Sequence, residues 1–161
     1  MPTREPLYDL STLDMDHVEI GIEEIRTVNL QRFEFEMLQG LLHFDKEAAL
    51  AIGYRDLKED EFWTRGHIPG RPVFPGVLQV ETAAQTCSYI YRTCFEGASE
   101  GGFFGFAGME EVRFTGSVVP GDRFLVVARA RRMRRRLAIF ETQGFVGGRQ
   151  VFEGVVKGAQ L

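Results

Sequence analysis

The chain has 161 residues, which suits a single domain with a buried core. Its net charge of -4 argues against a nucleic-acid-binding role, because domains with that role are usually basic overall. No segment has the length of an apolar membrane span, and no basic stretch followed by an apolar one opens the chain. We therefore expect one domain over residues 1–161, located in the cytoplasm and not inserted in a membrane.

The two cysteines, Cys87 and Cys94, lie seven positions apart in a stretch with helical periodicity. On one helix they would be about 10 Å apart, which is too far for a disulfide. No other side chains stand at a spacing that would complete a metal site with them. We expect two reduced thiols and no bound metal.

Before the central segment, the sequence predicts a loose arm, one helix and one strand. Residues 1–13 show no periodicity, so we expect a loosely held arm. Apolar residues between Asp14 and Val28 recur at helical spacing, which favours a helix there, although Gly21 within the stretch disfavours one. The alternation from Phe33 to Met37 predicts a half-buried strand that continues to Phe44.

The longest apolar run, from Val77 to about Phe95, follows a segment rich in proline and glycine. It is apolar almost all round, which indicates a buried helix. Everything after it is typical of strands, and Gly147-Gly148 is typical of a hairpin turn. This order predicts an α+β fold in which a curved antiparallel sheet wraps around one long central helix.

Three chemical features meet at the start of the predicted helix. His67 precedes the helix and can act as a base near neutral pH. Gly76 and Val77 would carry open backbone amides at the helix start, which favour negative charge. Glu81 is the only carboxylate inside the apolar run, where burial disfavours its charged form. Gln85, one turn further, either orients Glu81 for function or only satisfies a buried polar group.

Residues 66–85 read Gly-His-x-Pro-Gly-x-Pro-Val-x-Pro-Gly-Val-Leu-x-x-Glu-x-x-Ala-Gln. This pattern resembles the signature of the 3-hydroxyacyl-[acyl-carrier-protein] dehydratases of type II fatty acid synthesis, which have the hot-dog fold. Residues 106–114 and 118–122 resemble later strands of the same family in order and spacing. The family's glutamate, rather than aspartate, at position 81 is typical of its dehydratase-only branch.

The resemblance implies a dehydration that needs neither a metal nor an organic cofactor. It implies that His67 and Glu81 are the catalytic pair and that the Gly76 or Val77 amide binds the thioester oxygen. Family members are homodimers with the site at the interface, and some are trimers of dimers. The chain departs from the family at Ile68, where phenylalanine is common, and at residues 29–35, which lack a histidine and two prolines.

Two further groups of residues leave alternatives open. Phe103, Phe104 and Phe106 either line an acyl tunnel or belong to a packed strand, and Phe104 is our candidate for substrate contact. The arginines near the predicted hairpin either dock an acidic acyl carrier protein or are solvated surface. The candidate docking residues are Arg131, Arg132, Arg134, Arg135 and Arg136.

The leading hypothesis is therefore a 3-hydroxyacyl-carrier-protein dehydratase of fatty acid biosynthesis. The alternatives are a hot-dog thioesterase, an enoyl-thioester hydratase and a non-catalytic acyl-binding protein with the same fold.

Overall fold

A computed structural model describes residues 4–98, 100 and 102–161. Two 3-10 turns, Leu10–Thr12 and Phe33–Phe35, lie outside the regular elements. The strands and helices in chain order are β1 (Ile20–Gly21), α1 (Ile22–Val28), β2 (Gly40–Asp45), β3 (Leu50–Asp56), α2 (Gly76–Cys94), β4 (Phe104–Phe114), β5 (Arg123–Arg134), β6 (Leu137–Val146) and β7 (Arg149–Gln160). None of the helices described is long and apolar enough to cross a membrane.

The seven strands form one antiparallel sheet in the order β1-β2-β3-β5-β6-β7-β4. The helix α2 lies against β3, β5, β6, β7 and β4. Ala83, Cys87 and Ile90 of α2 are almost fully buried, in one core with Val126 and Phe140 of the sheet. The protein thus has the hot-dog fold that the sequence predicts, with α2 as the central helix.

The predicted strand from Phe33 to Met37 is wrong. Phe33–Phe35 is a single 3-10 turn, and strand pairing begins only at Gly40. Gln85 of α2 explains the difference, because its side chain accepts from the Met37 amide at 3.0 Å and donates to the Phe35 carbonyl at 2.7 Å. These backbone groups therefore bind a helix side chain instead of a neighbouring strand.

The arm is held more closely than the sequence predicts, although residues 1–3 lie outside the described part of the chain. Four of its side chains pack on the face of the sheet opposite α2: Leu7, Tyr8, Leu10 and Leu13. The Leu7 amide donates to Gln143 Oε1 at 2.8 Å, and Gln143 Nε2 donates to the Glu5 carbonyl at 3.0 Å. The expectation of a loose arm is therefore corrected for residues 4–13, because buried polar side chains of the sheet bind its backbone.

Candidate active site

His67 lies on the loop between β3 and α2, and its side chain is exposed to solvent. Its backbone amide donates to the Trp63 carbonyl at 2.8 Å, and the Val73 amide donates to the His67 carbonyl at 3.1 Å. Trp63 is buried against Phe74, with ring centroids 5.4 Å apart. The loop therefore holds an exposed histidine on an anchored backbone.

The tautomer of His67 follows from one side-chain contact. Its Nδ1 lies 2.7 Å from the Val73 carbonyl oxygen. Because a carbonyl oxygen can only accept, Nδ1 carries the proton in this hydrogen bond. In the neutral ring Nε2 then has a free lone pair, so His67 can take up a proton there.

The helix α2 begins directly after Pro75, whose carbonyl accepts from the Leu78 amide at 2.9 Å. The amides of Gly76 and Val77 donate to no group in the described residues, as is usual for the first turn of a helix. A Cβ at Gly76 would lie only 2.9 Å from Cζ of Phe114, so any larger residue there would require the ring of Phe114 to shift. The helix thus presents two open donors beside an aromatic ring.

Glu81 lies in the second turn of α2 and is half-buried. Burial raises the pKa of its carboxyl above the ordinary value, and a hydrogen bond from Gln85 partly opposes that rise. Gln85 Nε2 donates to Glu81 Oε1 at 2.7 Å. The carboxyl group is therefore oriented by Gln85 and holds its proton to a higher pH than an exposed glutamate would.

Glu81 lines a cavity of about 300 Å³ between α2 and the sheet. Most of the cavity wall is apolar or aromatic, and includes Phe104, Cys87 and Phe140. The ring of Phe104 is stacked on Tyr91, with centroids 3.9 Å apart. The structure thus places Glu81 and Phe104 in one cavity, and Phe104 is also a packed strand residue.

The predicted site residues form two groups within the described chain. His67, Gly76 and Val77 do not line the cavity that contains Glu81. No hydrogen bond or ion pair between described residues joins His67 to Glu81. The candidate residues of one chain therefore fall into two groups, a histidine near open amides and a carboxylate in a largely apolar cavity.

Two residues at the site are not among the candidates that the sequence offers. Asn29 is buried, and its Nδ2 donates to the Gln85 carbonyl at 3.0 Å. Phe114, 38 positions after Gly76, covers the start of α2. Both contacts arise from the tertiary fold, so neither spacing nor periodicity could have indicated them.

The predicted docking arginines lie at the end of β5 and in the turn to β6, and all are exposed. Arg135 donates to the Glu100 carbonyl at 3.0 Å and to Gln160 Oε1 at 3.1 Å. The remaining four, Arg131, Arg132, Arg134 and Arg136, form no ion pair with the residues that the structure describes. They leave a concentrated positive charge at this end of the sheet.

A carboxyl with a raised pKa in a largely apolar cavity fits the class of enzymes that transfer a proton to or from an apolar substrate. The FabA-like domain model matches residues 29–155 of the chain. Relatives named 3-hydroxyacyl-[acyl-carrier-protein] dehydratase FabZ, from Escherichia coli O9:H4 and from Shigella boydii serotype 18, are each 32% identical over 137 residues. Those alignments cover 85% of this chain and 90% of each relative. The chain belongs to this FabA-like family of 3-hydroxyacyl-[acyl-carrier-protein] dehydratases.

Solved structures support the fold. A chain of the dehydratase heterocomplex ApeI:P from Xenorhabdus doucetiae matches with a TM-score of 0.69 and 11% identity, over 85% of this chain and 90% of that one. A sigma28-regulated virulence protein from Campylobacter jejuni matches with a TM-score of 0.64 and 13% identity, over 92% and 96% of the two chains. At these identities the likeness concerns architecture alone.

Proposed function

We propose that this chain removes water from a 3-hydroxyacyl thioester, carried by acyl carrier protein, and forms the trans-2-enoyl thioester of fatty acid biosynthesis. The observation that carries this proposal is Glu81, a carboxyl with a raised pKa at the wall of an apolar cavity. The family of the chain supports the same reaction.

Glu81 supplies the acid for this reaction. A hydroxide ion leaves carbon 3 poorly, so the hydroxyl must receive a proton as the C3–O bond breaks. A carboxyl whose pKa is raised by burial keeps its proton closer to neutral pH and can donate it there. The apolar wall around Phe104 suits the acyl chain that must lie beside that carboxyl.

His67 supplies the base. Its Nε2 is free to accept the carbon-2 proton, because Nδ1 donates to the Val73 carbonyl. The electrons of the broken C2–H bond form the C2=C3 double bond while the hydroxyl leaves with the proton of Glu81. Carbon 2 is acidic enough only if the thioester carbonyl is polarised, and the open amides of Gly76 and Val77 can donate to that oxygen.

The complete site belongs to a homodimer in this proposal. The edge of β4 that faces away from β7 has no partner strand in the described residues. Its side chains Phe106, Val112 and Phe114 are exposed, and unpaired edges with apolar side chains favour association. A second copy would supply His67 and the open amides to the cavity that contains Glu81.

The carrier protein is the expected partner at the four unpaired arginines, because their positive charge complements an acidic surface. A cytoplasmic location agrees with Cys87 and Cys94, which the structure shows as free thiols.

The proposal is tested by incubating the purified protein with a 3-hydroxyacyl-carrier-protein and following the conjugated enoyl thioester. We expect product with the wild type and a loss of at least about a hundredfold in kcat with His67→Ala and with Glu81→Gln. His17→Ala and Glu96→Gln, which change exposed residues outside the cavity, are the matched controls and should keep full activity. Release of free thiol without enoyl product would instead identify a thioesterase, and ligand binding without any product would identify an acyl-binding protein.

A further inference from the structure

A small void lies between Gln85 of α2, the helix α1 and the segment 29–38. It offers about 10 Å³ in which the centre of a water molecule fits. Asn29, Gln31, Arg26 and Gln85 are among the residues that line it. A space of roughly 10–15 Å³ is enough for one water molecule if polar groups surround it.

Two buried acceptors in the wall of this void are unpaired. Asn29 is only 3% exposed, and its Oδ1 has no partner among the described residues although its Nδ2 is bonded. Gln31 Oε1 is buried and equally unpaired within the described chain. A buried polar atom without a hydrogen bond lowers the stability of the fold. A bound molecule that donates a hydrogen bond to each of these oxygens would remove that cost.

A donor for the same ligand is also present. Arg26 has five guanidinium N–H groups, and three of them bind Glu36 and Glu23. The two others have no acceptor among the described residues, and Arg26 is one of the residues that line the void. A water molecule there can donate to Asn29 and Gln31 and accept from Arg26, which are the three hydrogen bonds that buried waters usually make.

The void shares lining residues with two larger spaces, the cavity that contains Glu81 and an outer cleft. Gln31 lines both the void and the cavity that contains Glu81. Arg26 and Glu36 line both the void and an outer cleft of about 490 Å³, which reaches the exposed rings of Phe33 and Phe62. The void therefore shares polar lining side chains with the cavity of Glu81 on one side and with the outer cleft on the other.

We propose that Asn29 and Gln31 bind one ordered water, and that this site is a station on the route by which water formed at Glu81 leaves the enzyme. The route rests on the proposed dehydration, in which the C3–O bond breaks, the hydroxyl takes the proton of Glu81 and one water forms in each turnover. In this proposal the acyl chain lies along the apolar wall of the cavity, which leaves the polar side at Gln31 for the water.

The water site itself is tested without any turnover. A high-resolution crystal structure of the wild-type protein should show a water at roughly 2.7–3.2 Å from both Asn29 Oδ1 and Gln31 Oε1. The substitution Gln31→Met keeps the size of the side chain but removes the acceptor, and it should remove this water. An empty void in the wild type, or a water unchanged in Gln31→Met, would overturn the assignment.

The exit route is tested by the dependence of kcat on acyl length. We expect Gln31→Met to lower the ratio of kcat for a cavity-filling chain to kcat for a short chain by about tenfold. Gln31→Glu keeps an acceptor oxygen and should restore the ratio. Gln39→Met changes the outer cleft and removes two hydrogen bonds to the Asp56 backbone but leaves the void intact, so it should not lower the ratio. An equal loss at both lengths would show a merely structural role and overturn the route. A wild type without dehydratase activity at any length would overturn the proposed function and the route with it, while diffraction still decides the water site.

Discussion

Gln85 Nε2 lies 2.7 Å from Glu81 Oε1, one turn along the same helix. The same nitrogen donates to the Phe35 carbonyl, also at 2.7 Å, and Gln85 Oε1 accepts from the Met37 amide. Gln85 thus joins the carboxyl group of the candidate site to the turn at residues 33–37. Its effect on the carboxyl can be measured through pH dependence.

Replacing Gln85 with methionine should move the activity profile to higher pH. The hydrogen bond from Gln85 stabilises the charged form of Glu81, so its loss raises the pKa of Glu81 further. Activity that needs protonated Glu81 falls as pH rises through that pKa, so the descending limb of kcat/KM should shift upward. Gln85→Met should also lower stability by about 1–3 kcal/mol, because two backbone groups lose their partner.

The control for this experiment is Gln79→Met. Gln79 is a buried glutamine of the same helix, but its Nε2 donates to the Phe74 carbonyl and not to Glu81. We expect it to lose stability without a shift in the pH profile. A descending limb that stays in place in Gln85→Met would contradict the role given to this hydrogen bond.

Replacing Glu81 with glutamine should stabilise the protein at neutral pH. Since the folded-state pKa of Glu81 is raised, the folded protein holds this proton to a higher pH than the unfolded chain does. Its stability contribution is present below the ordinary glutamate pKa and is lost as pH rises through the folded value. Glutamine has no such loss, so the stability of Glu81→Gln minus that of the wild type should grow from about pH 4 to pH 8.

Denaturant unfolding at both pH values and equal protein concentration measures this difference. The control is Glu96→Gln, which changes an exposed residue just after α2. Its stability difference from the wild type should not increase comparably with pH. A difference that is constant or shrinks with rising pH would contradict the raised pKa.

Mixing two inactive variants should restore activity if the site spans two chains. A mixed dimer of His67→Ala and Glu81→Gln contains one site with both residues intact. Random exchange of subunits should therefore recover roughly a quarter of wild-type activity. The measurement is turnover after the two proteins are unfolded and refolded together, compared with each variant treated alone. Recovery no greater than the sum of the two separate variants would place the whole site in one chain.

Reversing the charge of Arg131, Arg132, Arg134 and Arg136 together should weaken binding of carrier-protein substrates. Their positive charge is unpaired in the described residues, so acidic partners lose a favourable field. We expect KM to rise by at least about tenfold with the carrier protein, and added salt to shrink the difference from the wild type.

Two comparisons separate docking from a general defect. A neutral short thioester substrate does not use the arginines, so its KM should stay unchanged. Arg149→Glu reverses an exposed charge at the hairpin on the opposite end of β6 and should bind the carrier protein normally. Equal losses with both substrates would argue against a docking surface.

Much of the fold follows from patterns in the sequence, and the exceptions have physical causes. The apolar run predicts Val77 to Phe95 as a helix, and α2 covers Gly76–Cys94. The strand predicted at Phe33–Met37 fails because a distant side chain, Gln85, binds the backbone there. The alternation of apolar and polar residues indicates which side chains could share a face of a strand. It does not indicate which groups form hydrogen bonds with the backbone.

The candidate site shows the same limit. The motif places His67 and Glu81 fourteen residues apart, a spacing that by itself suggests contact between the two side chains of one chain. In the structure they line no common cavity and share no hydrogen bond among the described residues, which a local pattern cannot reveal. Asn29 and Phe114 reach the site through long-range packing, so only the fold identifies them.

The arm has a consequence for how copies of this protein can assemble. Leu7, Leu10 and Leu13 cover the apolar patch that Leu42 and Phe145 would otherwise show on the back of the sheet. Two sheets that stack back to back need such a patch on each partner. With this back surface already covered by its own chain, two copies cannot stack on it, whereas the exposed apolar side chains of β4, Phe106, Val112 and Phe114, stay accessible for contacts between copies.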